Sequence, residues 1–178
     1  MRGSIGFIVL ASMLIAPSRA VADVTDRAPG GFTVKTVVTI ADAPDRVFGA
    51  LIRDLGVWWD SAHTFSGDAK NLSLVAEVGR CLCERLPNGG SVQHAEVIHA
   101  VPGGLLRLTG ALGPLQEAAV IGIWTWQFTR ADAGTTATVT YSVAGVFPGG
   151  LDRIADAVDT VIGDQLRRLK AHVESSKR

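Results

Sequence analysis

The C-terminal region of this chain carries one long amphipathic pattern, which constrains the fold more than any other feature. After the turn residues at 147–150, apolar side chains recur with a helical period from Leu151 to Val173. Acidic residues lie near the start of this pattern and basic residues near its end, as the helix dipole favours. A stripe of this length must be buried against a surface of similar length. The sequence therefore predicts a long helix packed on a sheet.

Segments with a two-residue period precede that helix and supply the sheet. A first alternating segment, Phe32 to Ala41, is followed by a short helical pattern with Asp42 as the expected N-cap and Pro44 in its first turn. Turn-forming residues such as Pro and Gly separate the later segments, as in an antiparallel meander. We predict an α+β fold with seven antiparallel strands wrapped around the C-terminal helix. The six later strands are expected within residues 71–78, 80–86, 91–101, 105–112, 119–130 and 135–146.

The N-terminal segment has the form of a secretory signal peptide. Arg2 precedes an apolar run from Ile5 to Ala16, and a small-x-small site ends at Ala22. We expect cleavage after Ala22 and a periplasmic or secreted protein, with an uncleaved membrane anchor as the alternative. Residues 23–31 are predicted to be a polar linker, 32–174 a single domain and 175–178 a tail. No membrane span is expected after cleavage.

Charge and cysteine content exclude other classes of function. The formal net charge is zero and no basic run is present, which argues against binding to nucleic acid. Cys81 and Cys83 are two apart on a predicted strand, where their Cα atoms would be about 6.6 Å apart with parallel side chains. We therefore expect two free thiols. No metal-binding spacing links them to a histidine, and no cofactor is expected.

The order of elements and several motifs resemble the START-like, helix-grip (SRPBCC) superfamily. The motifs are VVTIADAPDRVFGALI, WWDSAHTFSGDAKNLSL, CLCE, VPGGLLRLTGAL and GALGPLQ, and the likeness covers about residues 32–173. Bacterial polyketide cyclase-like proteins and relatives of the heat-shock-protein ATPase activator are the most similar members. The resemblance implies a hydrophobic cavity between the sheet and the last helix. It does not imply one chemistry, because carriers, sensors, co-chaperones and cyclases share the scaffold.

Candidate ligand-binding residues come from the strands and from one loop. Trp124 and Trp126 share a strand face that should point inward, as should Tyr141, whose buried hydroxyl requires a partner. His94 and His99 lie on opposite faces of their strand, so one is expected inward, and His94 is the candidate. Plain core packing is the alternative for all of them.

The segment from Leu55 to Leu72 raises a separate question. It combines Trp58 and Trp59 with His63 and with polar residues that do not suit a core. Because functional groups gather on loops beside rigid scaffolds, we predict the rim of a ligand cavity that includes Trp59 and His63. The alternative is an ordinary polar loop.

These observations support two main hypotheses of function. The first is an exported protein that binds a hydrophobic small molecule of lipid, polyketide or aromatic type. The second is a cyclase or isomerase in which His63 or the inward histidine acts as base and Tyr141 donates to an oxyanion. A third hypothesis, docking of a protein on the outer sheet face, is disfavoured by the polar side chains of Thr136, Thr138, Thr140 and Ser142.

Overall fold

The computed structural model describes residues 21–176, which form one antiparallel sheet and the helices packed on its inner face. All seven strand-to-strand pairings are antiparallel, in the spatial order β1-β2-β8-β7-β6-β5-β4-β3. The strands are β1 (Val21–Ala28), β2 (Gly31–Ile40), β3 (Leu72–Leu74), β4 (Cys81–Arg85), β5 (Ser91–Val101), β6 (Leu105–Thr109), β7 (Ala119–Ala131) and β8 (Gly134–Val146).

Within residues 21–176, three α-helices accompany the sheet: α1 (Pro44–Arg53), α2 (Leu55–Trp58) and α3 (Ala155–Ser175). Five short 3₁₀ turns lie at Ser61–His63, Ala69–Asn71, Pro87–Gly89, Gly113–Glu117 and Leu151–Arg153. The helix α3 packs across β2, β1 and α1, with its apolar side chains turned towards the sheet. The predicted α+β helix-grip fold is confirmed, and the strand count differs by one.

The additional strand is β1, which occupies most of the segment expected to be a linker. Val24 pairs with Val34 of β2 and is the one apolar side chain of residues 23–28 that packs against the core. The other side chains of that segment are exposed, as befits a strand at the sheet edge. The linker prediction was therefore wrong for residues 23–28. The proposed signal peptide, residues 1–22, lies outside the described residues except for Val21 and Ala22.

The start of α1 also differs from the expectation. The N-cap is Ala43, while Pro44 occupies the first turn as predicted. Asp42 instead accepts a hydrogen bond from the backbone N–H of Ala43 at 2.7 Å and pairs with Arg46. The predicted C-terminal helix begins as the 3₁₀ turn at Leu151–Arg153 before α3 continues to Ser175.

The two cysteines form a disulfide, so the prediction of free thiols was wrong. Their Cα atoms are 5.3 Å apart, closer than the ideal strand spacing of about 6.6 Å. The ladder between β4 and β5 is irregular at the same residues. Leu82 pairs with Ala95 and Cys83 pairs with Gln93, which leaves His94 without a partner on β4. Such a β-bulge changes the local strand geometry on which the prediction relied.

Candidate functional site

A cavity of about 460 Å³ lies between the first half of α3 and the inner face of the sheet. Its volume falls within the range of about 300–1,000 Å³ that is typical of small-molecule sites. Its lining is mainly apolar. It consists of Trp59, Ala62, His63, Thr64, Phe65, Leu72, Leu82, His94, Leu112, Gly113, Pro114, Leu115, Glu117, Tyr141, Phe147, Ile154, Ala157, Val158, Val161 and Ile162.

Two short segments border the side on which the cavity meets solvent. His63 and Phe65 are exposed on one segment, and Pro114 and Glu117 are exposed on the other. The lining residues His63 and Glu117 thus lie at this mouth, whereas His94 and Tyr141 are buried. Further in, the lining is formed by buried side chains such as Leu82, Leu115 and Ile162.

The rim loop, residues 59–68, is tied to α3 at its start. The buried side chain of Gln165 accepts a hydrogen bond from the backbone N–H of Asp60 at 3.0 Å. The carboxylate of Asp60 also pairs with Arg168 and accepts a bond from the backbone N–H of Ala62. These bonds from one helix to one loop hold the first turn of the rim in place.

The same rim loop is tied to β4 at its other end through Glu84. The carboxylate of Glu84 accepts hydrogen bonds from the backbone N–H groups of Phe65, at 3.1 Å, and Ser66, at 2.5 Å. It also contacts Nε2 of His94 at 2.8 Å. The side chain of Glu84 has no exposed surface, and Phe65 packs its ring against that of His94. The rim is therefore an ordered structure that spans from α3 to β4.

The β-bulge explains why His94 faces the cavity. Regular alternation along β5 would place His94 and Ala95 on opposite faces of the sheet. Both are buried, because the extra residue at the bulge turns two consecutive side chains inward. His99, by contrast, is exposed. The choice between the two histidines, which the sequence left open, is thus decided in favour of His94.

Hydrogen bonding keeps Glu84 ionised in spite of its burial. Burial raises the pKa of this carboxyl, but the hydrogen bonds from Ser66, Phe65 and His94 act in the opposite direction and lower it overall. A carboxylate can only accept hydrogen bonds, so the proton of the pair lies on Nε2 of His94. Sequence reasoning missed Glu84. The available signal was an acidic residue on the same strand face as Leu82.

Tyr141 lines the cavity, but its hydroxyl is fully engaged by the backbone. It donates to the carbonyl oxygen of Gly110 and accepts from the N–H of Leu112, both at 3.0 Å. The side chain is 0 % exposed, and burial raises its pKa to about 12. Glycine is required at 122, because a Cβ atom there would lie 2.3 Å from the Tyr141 ring. The hydroxyl therefore fixes the 110–112 segment and has no proton left for a ligand oxyanion.

Of the six predicted ligand-binding residues, four line the cavity and two do not. Trp59, His63, His94 and Tyr141 lie in its wall. Trp124 and Trp126 are buried beside it, where Trp124 contacts the ring of Trp59 and Trp126 contacts that of Trp58. The two strand tryptophans thus pack behind the lining side chains and do not line the cavity themselves.

Two further observations concern the part of the chain that the structure describes. Residues 21–176 contain no group of three or more His, Cys, Asp or Glu side chains placed to hold a metal ion. Within the same residues, no helix has the length and apolar character needed to cross a membrane.

Comparisons with known proteins identify the fold. No protein-family model and no curated protein matches the sequence. Among solved structures, protein MLL2253 from Mesorhizobium loti aligns with a TM-score of 0.59 and 16% identity, over 82% of this chain and 98% of its own. An uncharacterised protein from Rhizobium leguminosarum aligns with a TM-score of 0.59 and 20% identity, over 89% of this chain and 99% of its own.

A third neighbour carries a functional description. It is the di-domain aromatase/cyclase (ARO/CYC) StfQ from the steffimycin biosynthetic pathway, with a TM-score of 0.58 and 14% identity. The alignment covers 84% of this chain and 53% of StfQ. The fold is shared. At these identities the likeness is one of architecture, and the chemistry of the site must be argued from its own residues.

Proposed function

We propose that this protein is an exported binding protein for a hydrophobic small molecule, held in the cavity between the sheet and α3. The observation that carries the proposal is the cavity itself, because its volume suits a small molecule and its wall is mainly apolar. Burial of an apolar ligand against such a wall is favourable by about 25 cal/mol per Å² of area removed from water. The N-terminal sequence is the basis for export.

Membership of the START-like superfamily is part of this proposal. It is supported by the sequence motifs, by the helix-grip architecture and by the likeness to an aromatase/cyclase domain. That neighbour favours a polyketide or another aromatic molecule as ligand over a simple fatty acid. The ordered rim loop, which is anchored to both α3 and β4, would close one side of the occupied cavity.

Native mass spectrometry of protein from the periplasm of a bacterial host tests the proposal. We expect a bound apolar mass that is released on denaturation and is identified by extraction into organic solvent. Protein recovered only from the cytosol would contradict export, whereas exported protein that never retains or takes up an apolar compound would contradict the binding function.

A cavity-filling variant localises the binding site. Val158→Phe places a larger side chain in the cavity wall, so the affinity for the apolar dye N-phenyl-1-naphthylamine should fall at least about tenfold, or about 1.4 kcal/mol. Val57→Phe is the matched control, because Val57 is 74% exposed and lies outside the cavity. Equal loss of dye binding in both variants, or in neither, would place the dye elsewhere.

A second candidate function is proton transfer on such a ligand, as in a cyclase or isomerase. One observation favours it, namely that a carboxylate orients a histidine of the cavity wall, as in sites where histidine acts as a general base. The hydroxyl of Tyr141 is not available as the oxyanion donor. Incubation of the co-purified ligand with the protein in deuterated water would distinguish the two functions. Deuterium uptake that requires His94 indicates an enzyme, and its absence indicates a binding protein.

A further inference from the structure

The cavity wall contains a single inner polar group with unused hydrogen-bonding capacity among the described residues. The hydroxyl of Tyr141 has both a donor and an acceptor partner. Thr64 donates to the carbonyl of Ser61 and can still accept, but it is only half-buried and lies on the rim loop. His63 and Glu117 lie at the exposed mouth. That leaves His94, which is buried and whose Nδ1 has no hydrogen-bond partner in residues 21–176.

The partner of His94 determines what its free nitrogen can do. Glu84 is an ionised acceptor with two backbone donors, so the imidazole must donate a hydrogen bond from its Nε2–H to this carboxylate. In the neutral imidazole the other nitrogen, Nδ1, is then an acceptor. Glu84 also fixes the orientation of the ring, because it is itself held by the rim loop. The pair therefore presents one oriented acceptor inside an apolar cavity.

We propose that the cavity selects an apolar ligand that carries a hydroxyl of phenol or enol type, which donates its hydrogen bond to Nδ1 of His94. This inference rests on the proposed binding function and specifies its ligand class. His94 is a binding residue, and Glu84 is a positioning residue that acts through His94. An acidic hydroxyl suits this site because a stronger donor forms a stronger bond to an imidazole whose other nitrogen faces a carboxylate.

Four probes of similar size test this ligand class on the unaltered protein. 2-Naphthol has the required donor, 2-methoxynaphthalene lacks it but keeps the oxygen, naphthalene lacks both, and 2-naphthoate is an anionic acceptor. We expect 2-naphthol to bind about tenfold more tightly than 2-methoxynaphthalene or naphthalene. One net hydrogen bond at the upper end of the usual range provides a difference of this size. Preference for 2-naphthoate would overturn the proposal, because it would mean that Nδ1 is a donor.

Nitrogen NMR of the histidine side chains provides a direct readout of the tautomer. The chain has four histidines, and comparison with His94→Leu assigns the His94 signal. We expect Nδ1 of His94 to have the shift of an unprotonated ring nitrogen and to move when 2-naphthol binds, but not when naphthalene binds. A protonated Nδ1 in the free protein would overturn the proposal, and this result is obtained on the unaltered protein.

Variants separate the contributions of the two residues. His94→Leu should bind 2-naphthol and 2-methoxynaphthalene equally, while the exposed His99→Leu should keep the tenfold preference. Glu84→Gln should weaken the preference and change the Nδ1 shift, which a purely structural role would not do. If none of the four probes binds, the proposed binding function fails. If the neutral probes bind equally well to the unaltered protein, only the ligand class fails.

Discussion

Nε2 of His94 lies 2.8 Å from the carboxylate of Glu84, and both side chains are buried next to the cavity. Glu84 also holds the rim loop through the backbone of Phe65 and Ser66. The same carboxylate thus orders the mouth of the cavity and orients the histidine in its wall. A change at this one position should therefore affect stability, rim order and ligand selection together.

Replacement of this carboxylate should change stability and its dependence on acid. Glu84→Gln leaves a buried amide donor facing other donors, so we expect a loss of about 1–3 kcal/mol in the free energy of unfolding at pH 7. Because the folded protein lowers the pKa of Glu84, its contribution is present above the ordinary value of 4.5 and is lost as pH falls through the lowered value.

Urea unfolding between pH 7 and pH 3 checks this prediction. The unaltered protein should lose stability more steeply below about pH 4.5 than Glu84→Gln does. Glu77→Gln is the control, since the side chain of Glu77 is exposed, and its effect should stay within about 0.5 kcal/mol. If the free energy of unfolding falls equally steeply at acid pH in Glu84→Gln and in the unaltered protein, Glu84 is not an ionised, hydrogen-bonded group in the folded state.

The single tyrosine of the chain allows its ionisation to be measured directly. We expect the ultraviolet absorbance of tyrosinate to emerge near pH 12 in the folded protein, compared with about pH 10 after unfolding, because Tyr141 is buried. The folded state holds this proton more tightly, so stability should fall as pH rises from about 10 towards 12. Titration near pH 10 in folded protein would show that the hydroxyl is accessible to water.

Tyr141→Phe separates the structural role of this hydroxyl from a catalytic one. The variant removes the hydrogen bonds that the Tyr141 hydroxyl makes with the carbonyl oxygen of Gly110 and the N–H of Leu112, so we expect a loss of about 1–3 kcal/mol in stability. Binding of 2-naphthol and of naphthalene should change by the same factor, because the hydroxyl has no proton to offer a ligand. Selective loss of 2-naphthol binding would instead make Tyr141 a ligand contact.

The disulfide predicts the thiol content of the protein. Alkylation of denatured protein without reductant should modify neither Cys81 nor Cys83, and alkylation after reduction should modify both. The closed loop is very short, so the disulfide should contribute only about 1–2 kcal/mol to stability. Two thiols reactive without reductant would show that the bridge does not form in the cell.

Tryptophan and histidine variants distinguish the wall from the mouth of the cavity. Trp124→Ala should cost about 3–5 kcal/mol of stability, because Trp124 is 3% exposed and supports Trp59. His63→Ala should cost less than about 0.5 kcal/mol of stability, because His63 is exposed. Its hydrogen bond from Trp59 is accepted by the backbone oxygen, which the substitution keeps. Thermal melting of both variants, beside binding of N-phenyl-1-naphthylamine, checks this. Early melting of His63→Ala, or unaltered dye binding by it, would remove His63 from the site.

The sequence by itself determined the elements and their order. Local periodicity identified α3, the six strands of the meander and the inward aromatic face, because a period of 3.6 or 2 residues depends only on which side of the element is buried. Four of the six candidate residues named from the sequence line the cavity. Its failures were at positions where the local pattern is weak or broken. Residues 23–28 of the edge strand β1 include one partly buried apolar side chain, Val24, and so show little alternation to detect.

Only the tertiary structure decided the chemistry of the cavity. The β-bulge that turns His94 inward and accompanies the Cys81–Cys83 bridge arises from the register between β4 and β5, which no single segment encodes. The partners of Glu84 and Tyr141 lie 10 to 31 residues away along the chain. A buried polar group must find a hydrogen-bond partner, but which group supplies it depends on how distant segments are brought together. For that reason periodicity predicted the inward face of the sheet, and the folded chain decided which side chains line the cavity and which hydrogen bonds they form.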